Sequence, residues 1–353
     1  MADCRGRFSG ESGRSGHVTL HDVAALAEVS IATVSHYLSG NVHVSKPTGE
    51  RVQRAIDALG YVPNSTARNL KTERTRMFTL SVSDLRQPYY SRLASEIIDA
   101  AQRRGYGVVV HTTGLNRDRA IEGVASVRRR VTDGLIISPS LLSDRDVGLF
   151  RGAYPLVVAG NQMYETVAPT VSVDNVSAAY DATMHLLSVG CRHVALIAGG
   201  DSSKRDAKTL RFRGYCKALH DSGVTFDDRL VRDIYDWTVV GGEEAVTSLL
   251  DLGMTFDGIL AGNDLLALGA IQRLRERGIR VPDDVRVVGF DNSDQGRYVV
   301  PSLTSVDLEC ARVAEESVKC LIDQIEQGRR PDPLPTITVR HTVVYRDSSP
   351  ESE

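Results

Sequence analysis

The chain has 353 residues, of which 42% are hydrophobic and 25% are charged, and its formal net charge is −3. This length exceeds what one compact core usually supports and predicts two or three folded units. Five cysteines without a CxxC pair argue against a disulfide framework and a structural zinc site. We expect no membrane span because no apolar run approaches the roughly 18–20 residues that a membrane helix needs.

The amino-terminal segment, residues 1–17, is rich in Gly, Ser and Arg. It has too little apolar surface to offset the entropy of ordering, and we expect a disordered leader. It also lacks the apolar stretch of a secretion signal, which favours a cytoplasmic location.

Three short amphipathic helices are predicted next, over residues 20–27, 31–38 and 47–59. Thr19 and Ser30 are candidate N-caps of the first two helices, and Gly60 is a candidate C-cap of the third. Ala24 and Val34 should pack the first two helices together. Helices this short can form a core only by sharing one, so residues 18–62 are predicted to be one domain.

Residues 63–75 are predicted to be a short helical segment followed by a polar linker. Pro63 disfavours helix in the residue before it. The segment from Asn64 to Leu70 is too short to be a stable helix by itself.

From Met77 onward, strand-like apolar runs alternate with amphipathic helices, a pattern typical of parallel sheets covered by helices on both faces. About ten such units are too many for one ordinary sheet, so residues 76–346 are predicted to form two α/β subdomains. The N-subdomain is assigned to residues 76–172 and 304–333, and the C-subdomain to 173–303 and 334–346. Residues 347–353 are left as a tail.

The segment VTLHDVAALAEVSIATVSHYLSGNVHVSKPTGERVQRAIDALGYVPNSTARNLKT resembles the DNA-binding head of the lactose/galactose repressor (LacI/GalR) family. The resemblance implies a helix-turn-helix whose second helix lies in the major groove. Three residues of that helix stand where the family contacts bases: Ile31, Ala32 and His36. Residues that stand where the family holds phosphate, and so give register without sequence information, are Thr19, Ser30, Thr33, Ser35, His43, Ser45 and Asn64.

Two departures from the family pattern affect the expected DNA sequence preference. His36 replaces a usual arginine, so the bidentate guanidinium–guanine pair is not available. Gly49 replaces a customary arginine of the third helix. The operator sequence is therefore not predictable at its most informative position.

The same resemblance identifies Asn64–Leu70 as the hinge helix. It implies that two hinges pair in the minor groove, where Leu70 wedges between base pairs and Ala67 also contacts bases. Unstacking costs a few kcal/mol, and the bent DNA then wraps more protein surface. Because the hinge is helical only when paired on DNA, the spacing of the two sensors can control it.

The remaining chain resembles the family's sensor, which shares its fold with periplasmic sugar-binding proteins. Anchors include Arg211-Phe212-Arg213-Gly214-Tyr215 and Val288-Gly289-Phe290-Asp291. In such folds ligands bind at the carboxyl ends of the strands. The residues predicted to bind an effector are Asp84, Tyr89, Arg205, Arg211, Trp237, Asn263 and Asp291.

Several of these residues also have a purely structural explanation. Asp291 and Asn263 could cap the segments that follow them, and Trp237 could fill the core. Arg205 could be an exposed charge. Asp174 and Asn175 are interpreted as structural, capping the helix after their strand.

The sequence thus predicts a ligand-responsive transcriptional regulator, a repressor in most relatives, that binds a palindromic operator as a homodimer. The effector is expected to be a sugar or sugar-like metabolite, and no cofactor is expected. One alternative is an enzyme, but there is no P-loop, GxSxG elbow or metal-spaced His/Cys cluster. The other is a binding protein for a transported ligand, which the DNA-binding head opposes.

Overall fold

The structure is a computed structural model. It describes residues 18–39, 43–62, 74–114, 116–138, 146–152, 154–160, 168–197, 199 and 206–351. The chain divides into two compact units, Met1–Glu73 and Arg74–Glu353. The predicted leader and hinge helix lie outside the described residues. Within the described part of the chain, every helix is too short or too polar to cross a membrane.

The described residues of the first unit form three helices, α1 (Leu20–Leu26), α2 (Ile31–Ser39) and α3 (Lys46–Leu59). Thr19 caps α1 in a capping box, in which its backbone N–H donates to the Asp22 carboxylate at 2.8 Å. Ser30 Oγ accepts from the backbone N–H of Thr33 at 3.1 Å and caps α2. Gly60 ends α3 with a φ of 61°, a left-handed conformation that glycine adopts without steric cost. The three predicted caps are confirmed.

A shared apolar core holds the three helices together. Val23, Val34 and Val52, one from each helix, are fully buried, and Ala24 is 4% exposed. The predicted packing of Ala24 and Val34 is confirmed, since both belong to one buried cluster. Burying a Val side chain contributes roughly 1.5–3 kcal/mol, so these few contacts carry much of the stability of so small a unit.

The described part of the second unit forms two six-stranded sheets. The first sheet has the order β11-β5-β4-β3-β1-β2, all parallel. Its strands are β1 (Met77–Val82), β2 (Gly107–Thr112), β3 (Leu135–Ile137), β4 (Leu156–Ala159), β5 (Thr170–Val173) and β11 (Thr336–Val339). The central strands are buried along their whole length, as parallel strands covered on both faces must be.

The second sheet has the order β12-β10-β9-β8-β6-β7 and is parallel except for β12, which pairs antiparallel with β10. Its strands are β6 (Val194–Ile197), β7 (Val231–Arg232), β8 (Gly258–Ala261), β9 (Arg286–Phe290), β10 (Thr304–Asp307) and β12 (Thr342–Val344). Because β5, β8 and β9 are parallel strands, the residues that follow them lie at the carboxyl edges of their sheets.

The helices of the second unit fill the connections between strands. They are α4 (Pro88–Gln102), α5 (Arg117–Arg128), α6 (Val147–Phe150), α7 (Asn175–Ser188), α8 (Ala207–Asp221), α9 (Val239–Asp251), α10 (Asp264–Glu276), α11 (Asp294–Tyr298) and α12 (Cys310–Gln327). Helix α12 packs against α4, β4 and β5, so it belongs with the first sheet.

The predicted boundaries of the two subdomains are corrected at the carboxyl end. Residues 304–307 were assigned with the first sheet, but β10 pairs with β9 in the second. Residues 336–339 were assigned with the second sheet, but β11 pairs with β5 in the first. Residues 336–339 and 342–344 form two strands, one in each sheet, because the chain crosses between the subdomains after Val339.

The predicted tail is also corrected, because its first residues are part of the fold. Ser348 and Ser349 are fully buried. The Ser348 hydroxyl donates to the Val287 carbonyl at 2.6 Å and accepts from the Thr304 backbone N–H at 2.8 Å. Residues 345–349 therefore close the second sheet at the ends of β9 and β10.

Candidate functional site

The exposed face of α2 carries the three residues predicted to contact bases. Ile31 is 49% exposed, and Ala32 and His36 are exposed as well. Ala32 and His36 are four residues apart and so share one face of the helix. Val34 points the other way into the core. Helix α2 therefore exposes a surface that can enter a DNA groove.

Five of the residues predicted to hold phosphate lie at the N-cap of α2, within α2 or just before α3. Ser30, Ser35, His43 and Ser45 are exposed, while Thr33 is half-buried. The hydroxyls of Ser30 and Thr33 lie 2.8 Å apart, as part of the α2 N-cap. The N-terminus of a helix attracts anions because its backbone N–H groups point outward.

Gly49 has a steric explanation in the packing of α2 on α3. A Cβ atom at this position would lie 3.0 Å from Cε2 of Tyr37, closer than ordinary van der Waals contact. The Tyr37 hydroxyl donates to Gln53 Oε1 at 2.9 Å. The Tyr37 ring thus occupies the space that a side chain at residue 49 would need.

Four predicted site residues lie outside the described residues. They are Asn64, Ala67 and Leu70 of the hinge and Arg205 of the sensor. Their assigned roles remain predictions.

Arg211 lies at the centre of the predicted effector cleft and is 6% exposed. Its Nε donates to Asn175 Oδ1 at 2.9 Å, and its Nη1 donates to the Gly262 carbonyl. The guanidinium carbon lies 4.1 Å from the ring centroid of Phe290 and 5.5 Å from that of Trp237. Burial lowers the pKa of Arg211, and the charge of Asp291 opposes that shift. Aromatic faces stabilise a desolvated cation in this way.

Asp291 follows β9 and is 9% exposed. Burial raises the pKa of its carboxyl to about 8, although the charge of Arg211 acts to lower it. Among the described residues, the structure shows no hydrogen bond to this carboxylate. A buried carboxylate without donors is costly, so this position favours a ligand that supplies them.

Asn263 joins the two subdomains across the cleft with the help of Gln87. Its Oδ1 caps α10 by accepting from the Leu266 N–H at 2.9 Å. Its Nδ2 lies 3.3 Å from Gln87 Oε1 and 3.2 Å from the Trp237 carbonyl. Gln87 also donates to that carbonyl at 3.1 Å. Both the capping explanation and the cleft position thus apply to Asn263.

The two other predicted site residues of the first subdomain, Tyr89 and Asp84, have different surroundings. Tyr89, on α4, is strongly desolvated, and burial raises the pKa of its hydroxyl well above the usual range. Asp291 and Cys310 contribute to that shift, which places them near Tyr89. Asp84 instead accepts hydrogen bonds from the Arg86 side chain at 2.9 and 3.1 Å, which lowers the pKa of Asp84. Arg211 is not among the described hydrogen-bond partners of Asp84.

Three residues of the cleft were missed as site residues at the level of sequence: Asn175, Phe290 and Gln87. Asn175 follows β5, so the rule that selected Asn263 and Asp291 also applied to it. Asp174 alone caps α7, accepting from Val176 N at 3.0 Å, and Asn175 faces Arg211. Gln87 comes several residues after β1, and no local pattern indicates its contacts.

Two family models match the chain. Residues 19–64 match the bacterial regulatory proteins of the lacI family, and residues 183–349 match the periplasmic binding protein-like domain. The HTH-type transcriptional regulator CelR of Thermobifida fusca is 34% identical over 341 residues, which cover 92% of this chain and 97% of CelR. The chain belongs to the LacI family.

Other relatives of this LacI-family protein agree with that assignment. The HTH-type transcriptional repressor CytR of Escherichia coli (strain K12) is 30% identical, over 87% of this chain and 90% of CytR. The protein is a LacI-family transcriptional regulator.

Solved structures of the family share the fold. The Lac repressor dimer bound to operator and the anti-inducer ONPF matches with a TM-score of 0.83 at 25% identity, covering 95% of this chain and 100% of that one. A CelR–cellobiose complex matches with a TM-score of 0.70 at 31% identity, covering 94% and 99%. The predicted fold class, a helix-turn-helix head with a sensor of two parallel-sheet subdomains, is confirmed.

Proposed function

We propose that this regulator represses transcription by binding a palindromic operator as a homodimer, and that a sugar-like metabolite in the sensor cleft controls this binding. The observation that carries the effector half is the pair of buried ionisable groups in the cleft, Arg211 and Asp291. Asp291 lacks hydrogen-bond donors among the described residues, and ligand hydroxyls can supply them.

The lining of the cleft supports a carbohydrate. Phe290 and Trp237 present aromatic faces to the guanidinium of Arg211. A sugar also has apolar C–H faces that stack on aromatic rings and hydroxyls that pair with carboxylate and amide groups. Sites that combine aromatic walls with a few fixed polar groups are typical of small-ligand pockets.

Two solved relatives support the same assignment by what they contain. One is a CelR–cellobiose complex, and another is a Lac repressor dimer bound to operator and the anti-inducer ONPF. By analogy, we infer that the cleft of this chain takes a mono- or disaccharide and that α2 reads the operator. A cytoplasmic location and the absence of catalytic activity belong to this proposal.

The hinge role of Asn64–Leu70 is the part of the proposal that concerns DNA bending. We expect Leu70→Ala to weaken binding to the specific operator far more than binding to unrelated DNA, because the wedge acts only on bent DNA. Fluorescence anisotropy with both duplexes checks this. Equal loss on both would count against the wedge.

The first experiment is selection of operator fragments from the organism's own genome with the purified protein, followed by a panel of mono- and disaccharides that includes cellobiose. Specific binding should weaken steeply with salt, as expected for contacts to several phosphates. One or more sugars should change operator affinity in the wild type. Arg211→Ala should bind the operator and fail to respond to sugar. A protein that binds no duplex tightly at any salt concentration would refute the proposal.

A further inference from the structure

The backbone at the predicted ligand carboxylate is held in an unfavourable conformation. Asp291 has a φ of 99° and Asn292 a φ of 48°. Residues other than glycine pay for positive φ, about 1–3 kcal/mol each, and persist there only when their surroundings fix them. The elements that fix these two residues therefore also fix the Asp291 side chain.

Three consecutive backbone N–H groups anchor this turn, which we call the Asp291 turn (residues 291–293). Asp291 N donates to the Val306 carbonyl at 2.9 Å. Asn292 N donates to Ser305 Oγ at 3.0 Å, and Ser293 N donates to Asp264 Oδ2 at 2.6 Å. Strand β10 and the first residue of α10 thus hold the main chain of the Asp291 turn.

The side chain of Asn292 ties the turn to two further places. Its Nδ2 donates to Asp307 Oδ2 at 2.7 Å, and its Oδ1 accepts from Arg346 Nη2 at 2.6 Å. Its backbone carbonyl accepts from Arg92 Nη1 at 3.4 Å, which reaches over from α4 in the other subdomain. Asn292 is buried, with 4% of its surface exposed. Loss of any partner would leave a buried polar atom unsatisfied.

Arg346 is itself fixed at the start of β10, immediately before the carboxyl-terminal segment that was predicted to be a tail. Its Nη1 donates to the Leu303 carbonyl at 2.6 Å, and its backbone N–H donates to Thr304 Oγ1 at 2.8 Å. Ser348, two residues later, is locked between Val287 and Thr304. These contacts hold the Arg346 guanidinium between β10 and the Asp291 turn.

We propose that Arg346 is a positioning residue for effector binding: acting through Asn292, it holds the Asp291 turn in the conformation that presents the carboxylate to the ligand. The inference rests on the proposed role of Asp291 in binding a sugar. It extends the effector site beyond the cleft to a residue near the carboxyl terminus, which contacts Asn292.

The test uses the full-length protein and four substitutions. Arg346→Met keeps the aliphatic stem and removes both donors, and Arg346→Lys restores one of them. Asn292→Gly removes the amide and tolerates the positive φ. The matched control is Asp347→Ala, which breaks the neighbouring contact of the same segment, Ser302 Oγ to Asp347 Oδ2 at 2.7 Å, and leaves Asn292 alone.

Two quantities are measured for each variant: the affinity for the panel sugar that the wild type binds most tightly, and hydrogen exchange of peptide 288–296. Arg346→Met should weaken sugar binding about tenfold or more, as expected for a hydrogen bond to a charged donor. It should also speed exchange in that peptide. Arg346→Lys should recover part of both losses, and Asp347→Ala should change neither.

The double variant Arg346→Met/Asn292→Gly decides whether Arg346 acts through Asn292. If it does, the double variant binds sugar no more weakly than the worse single variant. Losses that multiply, or an equal loss in Asp347→Ala, would overturn the proposal. If the wild type binds no sugar of the panel, the proposed function fails, and the exchange data still decide whether Arg346 holds the turn.

Discussion

At the scale of single residues, the effector cleft is built from groups that are costly to bury and are made tolerable by specific neighbours. Arg211 is satisfied by Asn175, by a carbonyl and by two aromatic rings. Asp291 is not satisfied in the same way, and burial raises the pKa of its carboxyl to about 8. The two groups therefore differ in their partners. The protein stabilises Arg211, whereas Asp291 has no hydrogen-bond donor among the described residues.

This inequality predicts that sugar binding depends on pH. Asp291 ionises as pH rises through about 8, and its ionised form accepts the stronger hydrogen bonds. Sugar affinity should therefore rise with pH, by up to about tenfold for each pH unit, and level off above pH 8. Isothermal titration calorimetry at several pH values measures the effect. Asp291→Asn should abolish both the affinity and its pH dependence.

The raised pKa of Asp291 also determines how the free energy of unfolding changes with pH. Because the folded state raises the pKa of Asp291, its protonation adds stability that is fully present below the usual pKa of 3.8 and is lost as pH rises through about 8. Asp291→Asn removes the buried charge, so thermal unfolding should show the variant gaining on the wild type as pH rises. A gain that grows toward acid pH would contradict this assignment.

At the scale of elements, glycines set how closely helices pair in the second subdomain. A Cβ atom at Gly269 of α10 would lie 1.9 Å from the Val239 carbonyl of α9, and one at Gly242 would lie 2.1 Å from the Leu266 carbonyl. The two helices therefore touch backbone to backbone. This contact fixes α9 next to the segment that carries Trp237.

We expect Gly269→Ala to lower the free energy of unfolding by about 1–3 kcal/mol or more, since a methyl group would meet a backbone carbonyl that cannot move alone. Urea denaturation measures the change. The control is Gly148→Ala in α6, where a Cβ would meet nothing within 4 Å. That variant should be neutral or slightly more stable, because alanine favours helix. Equal losses in both would show that helix spacing is not the cause.

At the scale of the whole sensor, the two sheets meet across a cleft that side chains of α4 and its N-cap bridge. Gln87 bonds to the Trp237 carbonyl and to Asn263, and Arg92 reaches the Asn292 carbonyl. These contacts join cleft residues of one subdomain to cleft residues of the other. The state of the cleft is therefore linked to the relative position of the two subdomains.

Gln87→Ala should loosen this link and weaken sugar binding about threefold to tenfold, as expected for two lost hydrogen bonds of modest net value. Trp237 is the only tryptophan of the chain, so its emission reports directly on the cleft. We expect a red shift in Gln87→Ala without ligand, because water gains access to the indole. Gln102→Ala, an exposed change at the end of the same helix, serves as the control, and an identical shift there would refute the link.

The sequence predicted most elements that have a strong periodic pattern. The helices predicted over residues 31–38 and 47–59 match α2 and α3 to within one residue. Helix α9 has a weaker local signal, because Gly241 and Gly242 at its start disfavour helix although they allow close packing. The short strand β7 and β10 were missed because two to four residues carry little periodicity.

The sequence by itself determined the family, the three-helix head and the alternation of strands and helices, because these depend on local periodicity, caps and motif spacing. It also selected Asn263 and Asp291, since polar residues that follow parallel strands meet at one edge of a sheet. Arg211 was selected through the family resemblance. Only the tertiary structure decided that β10 and β11 exchange sheets, that Gln87 spans the cleft and that Arg346 supports Asn292. Those contacts join residues dozens to hundreds of positions apart, and no local pattern encodes such pairings.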